Sequence, residues 1–203
     1  IYPAENVARF LGRYYNDRNK NIDCSALDIG FGSGRNMKIL LDYGFNVYGI
    51  DYVRKYIDAA KEKFQGADRL KKLIIGDFSS YDFNMKFNVI LACGVIFLRT
   101  VNDMKRDLTV IYNLLEKDGM CFIDFNTKDH FLYKNGEEIE KDLTYRINYP
   151  EYPNLIFNFL SEEELRAIVS EIGFKISSIE RTDYWKNNLK ERFSWWTVAL
   201  SKS

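Results

Sequence analysis

A glycine-rich turn near the start of the sequence is its clearest candidate for ligand chemistry. After a short, mostly apolar segment that begins at Ser25, the chain reads Asp28-Ile29-Gly30-Phe31-Gly32-Ser33-Gly34-Arg35. This order predicts a buried strand, a tight turn and a helix. Glycines permit such a turn and let a ligand lie directly against the backbone. Because ligands of doubly wound sheets bind outside the carboxyl ends of the strands, the turn is a predicted ligand site.

A second candidate is Asp51, which ends the next predicted strand about 20 residues after the first glycine. A carboxylate at this position accepts hydrogen bonds from ribose hydroxyls. Together with the glycine turn, it indicates an adenosine-binding half. Each of these residues also has a structural alternative. The glycines would be ordinary turn residues, and Asp51 would cap the N-terminus of the next helix.

The elements that would position these residues alternate between strand and helix. The predicted strands cover residues 25–29, 46–50, 72–75, 87–93 and 120–125, and the predicted helices cover 4–17, 35–43, 53–65 and 102–117. Elements of this length and order imply a parallel sheet with helices on both faces.

The pattern changes beyond residue 126. Residues 127–158 are polar and aromatic, and we expect them to be irregular. Ser161 and Glu164 form a predicted capping box that begins a further helix. Two closing strands are predicted over 175–182 and 193–201, and since no helical crossover separates them, they should pair antiparallel.

The spacing of the glycines bears on the class of cofactor. The dinucleotide fingerprint is G-x-G-x-x-G/A, whereas the glycines here are Gly30, Gly32 and Gly34, and position 35 is Arg. The pattern Asp-x-Gly-x-Gly-x-Gly resembles motif I of the class I S-adenosylmethionine-dependent methyltransferases. The resemblance covers residues 24 to 126 and extends more loosely to 201. Its further matches are Asp51-Tyr52, Gly76-Asp77-Phe78, residues 87–95, residues 116–119 and the two closing strands.

This resemblance implies a Rossmann-like α/β fold and a cofactor. The fold is a doubly wound, mostly parallel seven-stranded sheet with an antiparallel last strand and helices on both faces, forming a single methyltransferase domain over residues 1–203. The cofactor is S-adenosyl-L-methionine, and the product is S-adenosyl-L-homocysteine. The implied cofactor-binding residues are Asp28, Gly30, Phe31, Gly32, Gly34, Asp51, Tyr52, Asp77, Phe78 and Cys93. Asp28 stabilises the loop or contacts the amino-acid end of the cofactor, Asp77 contacts adenine or caps a turn, and Cys93 makes a backbone contact or belongs to the core.

The methyl acceptor is expected on the other side of the cofactor, beneath residues 1–20 as a cover helix and residues 127–158 as an acceptor-side insert. His130 is the candidate general base, and packing is its alternative. Tyr2, Tyr14 and Arg99 are the candidate substrate residues, with core packing or solvation as alternatives. The expected acceptor is a small polar molecule with a hydroxyl or amine, such as a sugar or related metabolite. Two departures from the family are Asn88, where Asp is frequent, and the absence of His near Phe97 and Leu98.

The amino-acid composition limits the classes of partner that we expect this protein to bind. Lys and Arg number 29, as do Asp and Glu, so no nucleic-acid partner is expected. No apolar run is long enough for a membrane span, and the three cysteines match no metal pattern, so we expect neither membrane nor metal binding. Because the number of cysteines is odd and their spacing matches no pattern, we expect reduced thiols in a cytoplasmic protein. The expected oligomeric state is a monomer or homodimer.

Two rival functions remain. A nicotinamide-dependent oxidoreductase would share the sheet, but its glycine fingerprint is absent. A protein that binds S-adenosylmethionine without turnover would share the glycine turn, and the missing histidine near Phe97 favours it.

Overall fold

The computed structural model describes residues 4–202. The described helices are α1 (Glu5–Tyr14), α2 (Arg18–Asn21), α3 (Arg35–Asp42), α4 (Arg54–Lys63), α5 (Val101–Leu114) and α6 (Glu162–Ile172). The described strands are β1 (Ser25–Ile29), β2 (Asn46–Asp51), β3 (Leu70–Ile75), β4 (Phe87–Ala92), β5 (Leu115–Asn126), β6 (Gly136–Glu140), β7 (Thr144–Ile147), β8 (Ile156–Asn158), β9 (Lys175–Lys186) and β10 (Glu191–Ser201).

Seven strands form one sheet in the order β3-β2-β1-β4-β5-β10-β9. Strand β1 pairs parallel with β2 and β4, and β2 pairs parallel with β3. The two closing strands, β9 and β10, pair antiparallel. The predicted fold class, a mostly parallel Rossmann-like sheet with an antiparallel strand at its end, is therefore confirmed.

Burial explains why β1 was readable as a strand. From Ala26 to Ile29 all of its side chains are buried, as expected for a central parallel strand covered on both faces. Helix α3 follows directly and stops before Gly44, whose φ of 88° ends the helix in the left-handed conformation. Local sequence signals thus determine the strand, the turn and the helix that would form the ligand site.

The chain divides into two compact units. The first extends up to Cys93 and includes Asn113–Phe122 and the last residues, so it contains β1–β4 and α1–α4. The second comprises Gly94–Tyr112 and Ile123–Ser201 and contains β6–β10, α6 and most of α5.

The prediction that residues 127–158 are irregular is wrong. Strands β6, β7 and β8 form a three-stranded antiparallel sheet in this segment. Its strands are short, and β7 alternates between buried Tyr145 and Ile147 and exposed Arg146, which is too few residues for a clear period of two. A buried cluster of Leu132, Tyr145, Ile147, Phe157 and Phe159 packs on it.

The N-terminal helix is also shorter than predicted. Instead of one helix over 4–17, α1 ends at Tyr14 and the separate α2 begins at Arg18. The Asp17 side chain accepts a hydrogen bond from the Asn19 N–H at 3.1 Å and caps α2, so a new helix starts there.

None of the helices within residues 4–202 combines the length and the apolar character that a membrane crossing requires.

Candidate functional site

The turn after β1 consists of glycines in conformations that other residues avoid. Gly30, Gly32 and Gly34 have φ values of 63°, 51° and 71°. The Gly30 N–H donates to the Ile50 carbonyl at 2.8 Å, and the Gly34 N–H donates to the Phe31 carbonyl at 2.9 Å. The turn is therefore held to β2 and closed on itself, with a left-handed backbone that glycine adopts without strain.

The surroundings of the glycines differ. A Cβ atom on Gly34 would lie 2.8 Å from the Phe64 ring, so packing alone requires glycine there. A Cβ atom on Gly32 would meet nothing within 4 Å. The backbone at Gly32 consequently faces open space, as a surface for a closely approaching ligand must.

Asp51 joins the ends of neighbouring elements through its carboxylate and its backbone. Its Oδ2 accepts from the Gly32 N–H at 3.0 Å and its Oδ1 accepts from the Val53 N–H at 2.9 Å. Its carbonyl accepts from the Gly76 N–H at 3.1 Å. The N-cap position of α4 is Val53, so Asp51 is not that cap. A carboxylate has about four acceptor sites, and the two bonds to N–H groups leave capacity for ribose hydroxyls.

Asp28 lies inside the sheet next to this turn and is only 2% exposed. Its Oδ2 has no hydrogen-bond partner among the described residues. The pKa of Asp28 is raised to about 8, chiefly by burial; Arg35 lowers this pKa, Asp51 raises it and the Met37 N–H lowers it. A buried carboxyl oxygen without a partner is costly, and a bound donor or cation would relieve that cost.

The remaining predicted cofactor residues have varied environments. The Phe31 ring is buried over β2, where a Cβ atom on Gly49 would lie 2.8 Å from it. Tyr52 is 77% exposed, so its ring is free to be covered by a planar base. Asp77 is exposed, and its Oδ1 accepts from the N–H and the hydroxyl of Ser79, each at 2.9 Å. The turn-capping alternative for Asp77 is thus present, and its adenine contact stays a prediction.

Phe78 and Cys93 follow β3 and β4. Phe78 is buried, and Cys93 is half-buried. Their cofactor contacts stay predictions. The first unit accordingly contains all ten predicted cofactor residues, and direct hydrogen bonds or close packing connect the glycine turn to Asp51.

An open cavity of about 410 Å³ occurs elsewhere in the first unit, between α3 and the end of α4. It is lined by Lys38, Leu41, Asp42, Lys63, Phe64, Gln65, Gly66 and Ala67. None of the predicted cofactor residues lines it, so this cavity and the glycine turn are different features.

Among the predicted acceptor residues, Arg99 belongs to an ion pair. Its Nε lies 2.8 Å from Oδ2 of Asp107, which is buried. The turn that contains Arg99 is held by Asn158, whose Nδ2 donates to the carbonyls of Ile96 and Arg99 at 3.1 and 2.9 Å. Arg99 therefore has a structural partner, and its contact with substrate stays a prediction.

His130 is buried among aromatic rings. Its ring stacks on Phe131 with centroids 5.1 Å apart and meets Phe193 edge to face at 5.2 Å. Its Nδ1 accepts from the Leu132 N–H at 3.2 Å. Burial lowers the pKa of His130 to about 4, so the ring is neutral at pH 7. This environment supports the packing alternative over the role of general base.

Tyr14 is half-buried on α1, and its ring lies 5.5 Å from that of Phe10. Tyr2 lies outside the described residues. Asn88, the first departure from the family, occupies the start of β4, where its Oδ1 accepts from the Ser25 N–H at 2.9 Å. Ser25 is the first residue of β1, whereas the glycine turn follows its last residue. Asn88 therefore contacts the end of β1 that is far from the glycine turn.

Sequence reasoning missed Asp124 and Asn158 in the second unit. Asp124 is half-buried near the end of β5, and its Oδ1 accepts from the Gly94 N–H at 2.7 Å. Asn158 is fully buried, and its Oδ1 has no partner within residues 4–202. The rule that identified Asp51, an acidic residue near the carboxyl end of a predicted strand, would also have indicated Asp124. No local pattern indicates Asn158.

Comparison with known proteins connects this geometry to a family. A family model described as a methyltransferase domain matches residues 2–179. YqeM of Bacillus subtilis (strain 168), a methyltransferase by name, is 21% identical over 168 residues. The aligned part is 82% of this chain and 66% of YqeM, so the chain spans just under two thirds of that relative.

Solved structures agree in fold. A S-adenosylmethionine-dependent methyltransferase from Methanosarcina mazei superposes with a TM-score of 0.74 at 16% identity, covering 100% of this chain and 99% of that one. The 1,6-didemethyltoxoflavin-N1-methyltransferase of Burkholderia thailandensis, solved with 1,6-didemethyltoxoflavin and S-adenosylhomocysteine bound, gives 0.67 at 16% identity, covering 97% and 87%. At these identities the similarity concerns the fold.

Proposed function

Because the chain belongs to the methyltransferase-domain family, we propose that it binds S-adenosylmethionine and transfers the methyl group to a small polar acceptor. The observation that carries the proposal is the bridge from Asp51 to the Gly32 N–H, which places a carboxylate with free acceptor sites beside an open backbone. This is the arrangement that an adenosine cofactor requires of a Rossmann-like sheet.

In this proposal, three residues of the first unit hold the cofactor. Asp51 accepts from the ribose hydroxyls, while its bonds to Gly32 and Val53 keep the carboxylate oriented. Gly32 lets the cofactor contact the backbone. Asp28 faces the amino-acid end, where the ammonium group would satisfy its unpartnered oxygen. The residues present therefore fit the cofactor.

The cofactor supplies a methyl group already activated by the sulfonium. The protein must then hold the acceptor in line and exclude water, and such positioning is worth about 7–11 kcal/mol. A general base adds roughly 10²–10⁴-fold when the acceptor is a hydroxyl or a protonated amine. With His130 packed among rings, the half-buried carboxylate of Asp124 is the alternative group to test for that role.

The acceptor that we propose carries a hydroxyl or amine. Support comes from the insert 127–158, whose half-buried rings Phe131, Tyr133, Tyr149 and Tyr152 offer polarisable contact surface. The bound 1,6-didemethyltoxoflavin of the Burkholderia enzyme shows that the same fold accepts a small molecule in that protein. We further propose a cytoplasmic monomer or homodimer. Within residues 4–202 the three cysteines form no disulfide, which agrees with a reducing compartment.

The test uses S-adenosylmethionine labelled in its methyl group, incubated with fractionated small metabolites, protein and RNA. We expect protein-dependent label in the small-molecule fraction, and much less of it with the Asp51→Ala variant at a cofactor concentration near the native Kd. Label in RNA or protein would contradict the proposed acceptor class. Cofactor binding without label in any fraction would instead favour the rival protein that binds without turnover.

A further inference from the structure

We propose that cofactor binding releases a proton from Asp28, so that affinity for the cofactor increases with pH. The inference rests on the proposed function, because it takes the cofactor's ammonium group as the partner that Oδ2 of Asp28 lacks. On binding, the O–H bond of the Asp28 carboxyl group breaks, the carboxylate keeps the electron pair, and the proton passes to the solvent.

The position of Asp28 makes the uncharged form favourable in the free protein. It lies in the central strand β1, where its register partners are Gly49 on β2 and Leu91 on β4. Neither partner has a polar side chain. The side chain is 2% exposed, and its Oδ2 lacks a partner within the described part of the chain. An ionised carboxylate here would lose its hydration with only partial compensation.

Two charges near Asp28 act on its pKa in opposite directions, and the effect of Arg35 is the larger. Asp51, from β2, disfavours ionisation, and Arg35, from α3, favours it. The Arg35 side chain is exposed, so water weakens its effect. The Met37 N–H adds a smaller favourable contribution. Burial dominates this balance and raises the pKa of Asp28 to about 8.

A cation bound beside Asp28 would instead favour the ionised form of its carboxyl group. A positive group within hydrogen-bond distance lowers a carboxyl pKa by about 1–3 units. Asp28 is then mostly protonated in the free protein at pH 7 and at least half ionised in the complex, which corresponds to release of about 0.4–0.9 proton per cofactor. Between the bound and the free pKa, affinity rises by up to about tenfold per pH unit.

Isothermal titration calorimetry with S-adenosylhomocysteine at pH 7 measures the release directly. The observed enthalpy is compared in phosphate and Tris buffers, which differ in ionisation enthalpy, and the slope gives the protons released. We expect release of about 0.4–0.9 proton per ligand bound by the native protein. The Asp28→Asn variant keeps the shape and the uncharged state, and it should bind with a slope near zero. Subtracting the slope of this variant from that of the native protein also corrects for protons that the ligand's own amino group takes up.

A second probe isolates the ammonium group. Methylthioadenosine has the adenosine but no amino-acid end, so it should bind the native protein without releasing a proton. Binding of S-adenosylhomocysteine with zero slope, or equal release by Asp28→Asn, would overturn the inference while leaving the proposed function intact. Complete absence of binding would overturn both. Should Asp28→Asn fail to fold, the Kd of the native protein from pH 6 to 9 decides, and a flat profile is the contrary result.

Discussion

Gly32 and Gly34 share a left-handed backbone, yet their substitutions should have different effects. Gly32 faces open space, whereas Gly34 packs against Phe64. Gly66 is a matched control for Gly32, since it has φ of 78° and equally open surroundings. We expect Gly32→Ala and Gly66→Ala each to lose about 1–2 kcal/mol of stability through the left-handed conformation. Only Gly32→Ala should also weaken binding of S-adenosylhomocysteine, by at least about tenfold.

Thermal unfolding and titration of both alanine variants provide the measurement. Equal binding by Gly32→Ala and Gly66→Ala would mean that the open space at Gly32 is not used by the ligand. Gly34→Ala should be the least stable of the three, because its methyl group would meet the Phe64 ring at 2.8 Å.

The Asp51 carboxylate should matter more for binding than an exposed carboxylate nearby. Asp51→Ala removes the ribose acceptor and the bond to the Gly32 N–H, and a bond to a charged group is worth about 1.5–3 kcal/mol. We therefore expect Kd to rise by roughly 10–100-fold in titration calorimetry. Asp58→Ala, on the exposed face of α4, is the control. Unchanged affinity in Asp51→Ala would contradict the assigned role.

His130 should stay neutral throughout the physiological range. Its pKa is lowered to about 4 by burial, below the value of about 6.5 expected in the unfolded chain. The stability that depends on its neutral form is therefore complete above pH 6.5 and is lost as pH falls towards 4. As the chain contains one histidine, NMR of the tag-free protein follows this ring alone. A titration midpoint between pH 6 and 8 would contradict the packing role and revive the general base.

Much of this residue-scale account was predictable from the sequence. The glycines and Asp51 were identifiable because strand, turn and helix signals surround them. The unpartnered oxygen of Asp28 was not, since it depends on the neighbouring strands β2 and β4 leaving no donor beside it. Likewise, the sequence allowed two roles for His130, and only the surrounding rings distinguish them.

At the scale of elements, β6 supplies a cap for α5. Glu140 accepts from the Val101 N–H at 2.6 Å and from the Asn102 N–H at 3.2 Å, the first two N–H groups of the helix. Their separation of 39 and 38 residues explains why no local capping pattern revealed them. The capping box of α6, with Ser161 and Glu164 three residues apart, was by contrast readable and is confirmed.

Removing the β6 cap should destabilise the second unit. For Glu140→Ala we expect a loss of about 2 kcal/mol and a fall in Tm of about 4–8 °C. Glu137→Ala is the control in the same strand, because Glu137 is exposed and its ion pair with Arg146 spans 3.7 Å. Differential scanning calorimetry measures both variants. A Tm for Glu140→Ala equal to that of Glu137→Ala would show that the cap does not stabilise the helix.

The predicted and observed elements differ for identifiable reasons. Strands β1 to β4 were readable because their apolar runs are flanked by glycines or aspartates. Strands β6 to β8 were missed because β6 is mostly Glu, and β7 and β8 have only four and three residues. Pairing between these consecutive strands, rather than local propensity, defines them. Helix α5 ends at Leu114, three residues before the predicted end at 117, since the following residues join β5.

At the scale of the whole molecule, the topology was the most predictable feature. Alternation of helices and strands limits a chain to few arrangements, because parallel crossovers are right-handed and adjacent elements pack together. The acceptor is not specified at this scale, since one fold supports many reactions through residues at the strand ends. In the second unit, hydrogen bonds of Asp124 and Asn158 join segments 30 and 62 residues apart in sequence.

Titration calorimetry of the native protein with S-adenosylhomocysteine and, separately, with NAD tests the central claim most directly. We expect saturable binding of S-adenosylhomocysteine with one site per chain, and no saturable binding of NAD. Binding of NAD with no binding of S-adenosylhomocysteine would contradict the account and assign the glycine turn to a dinucleotide.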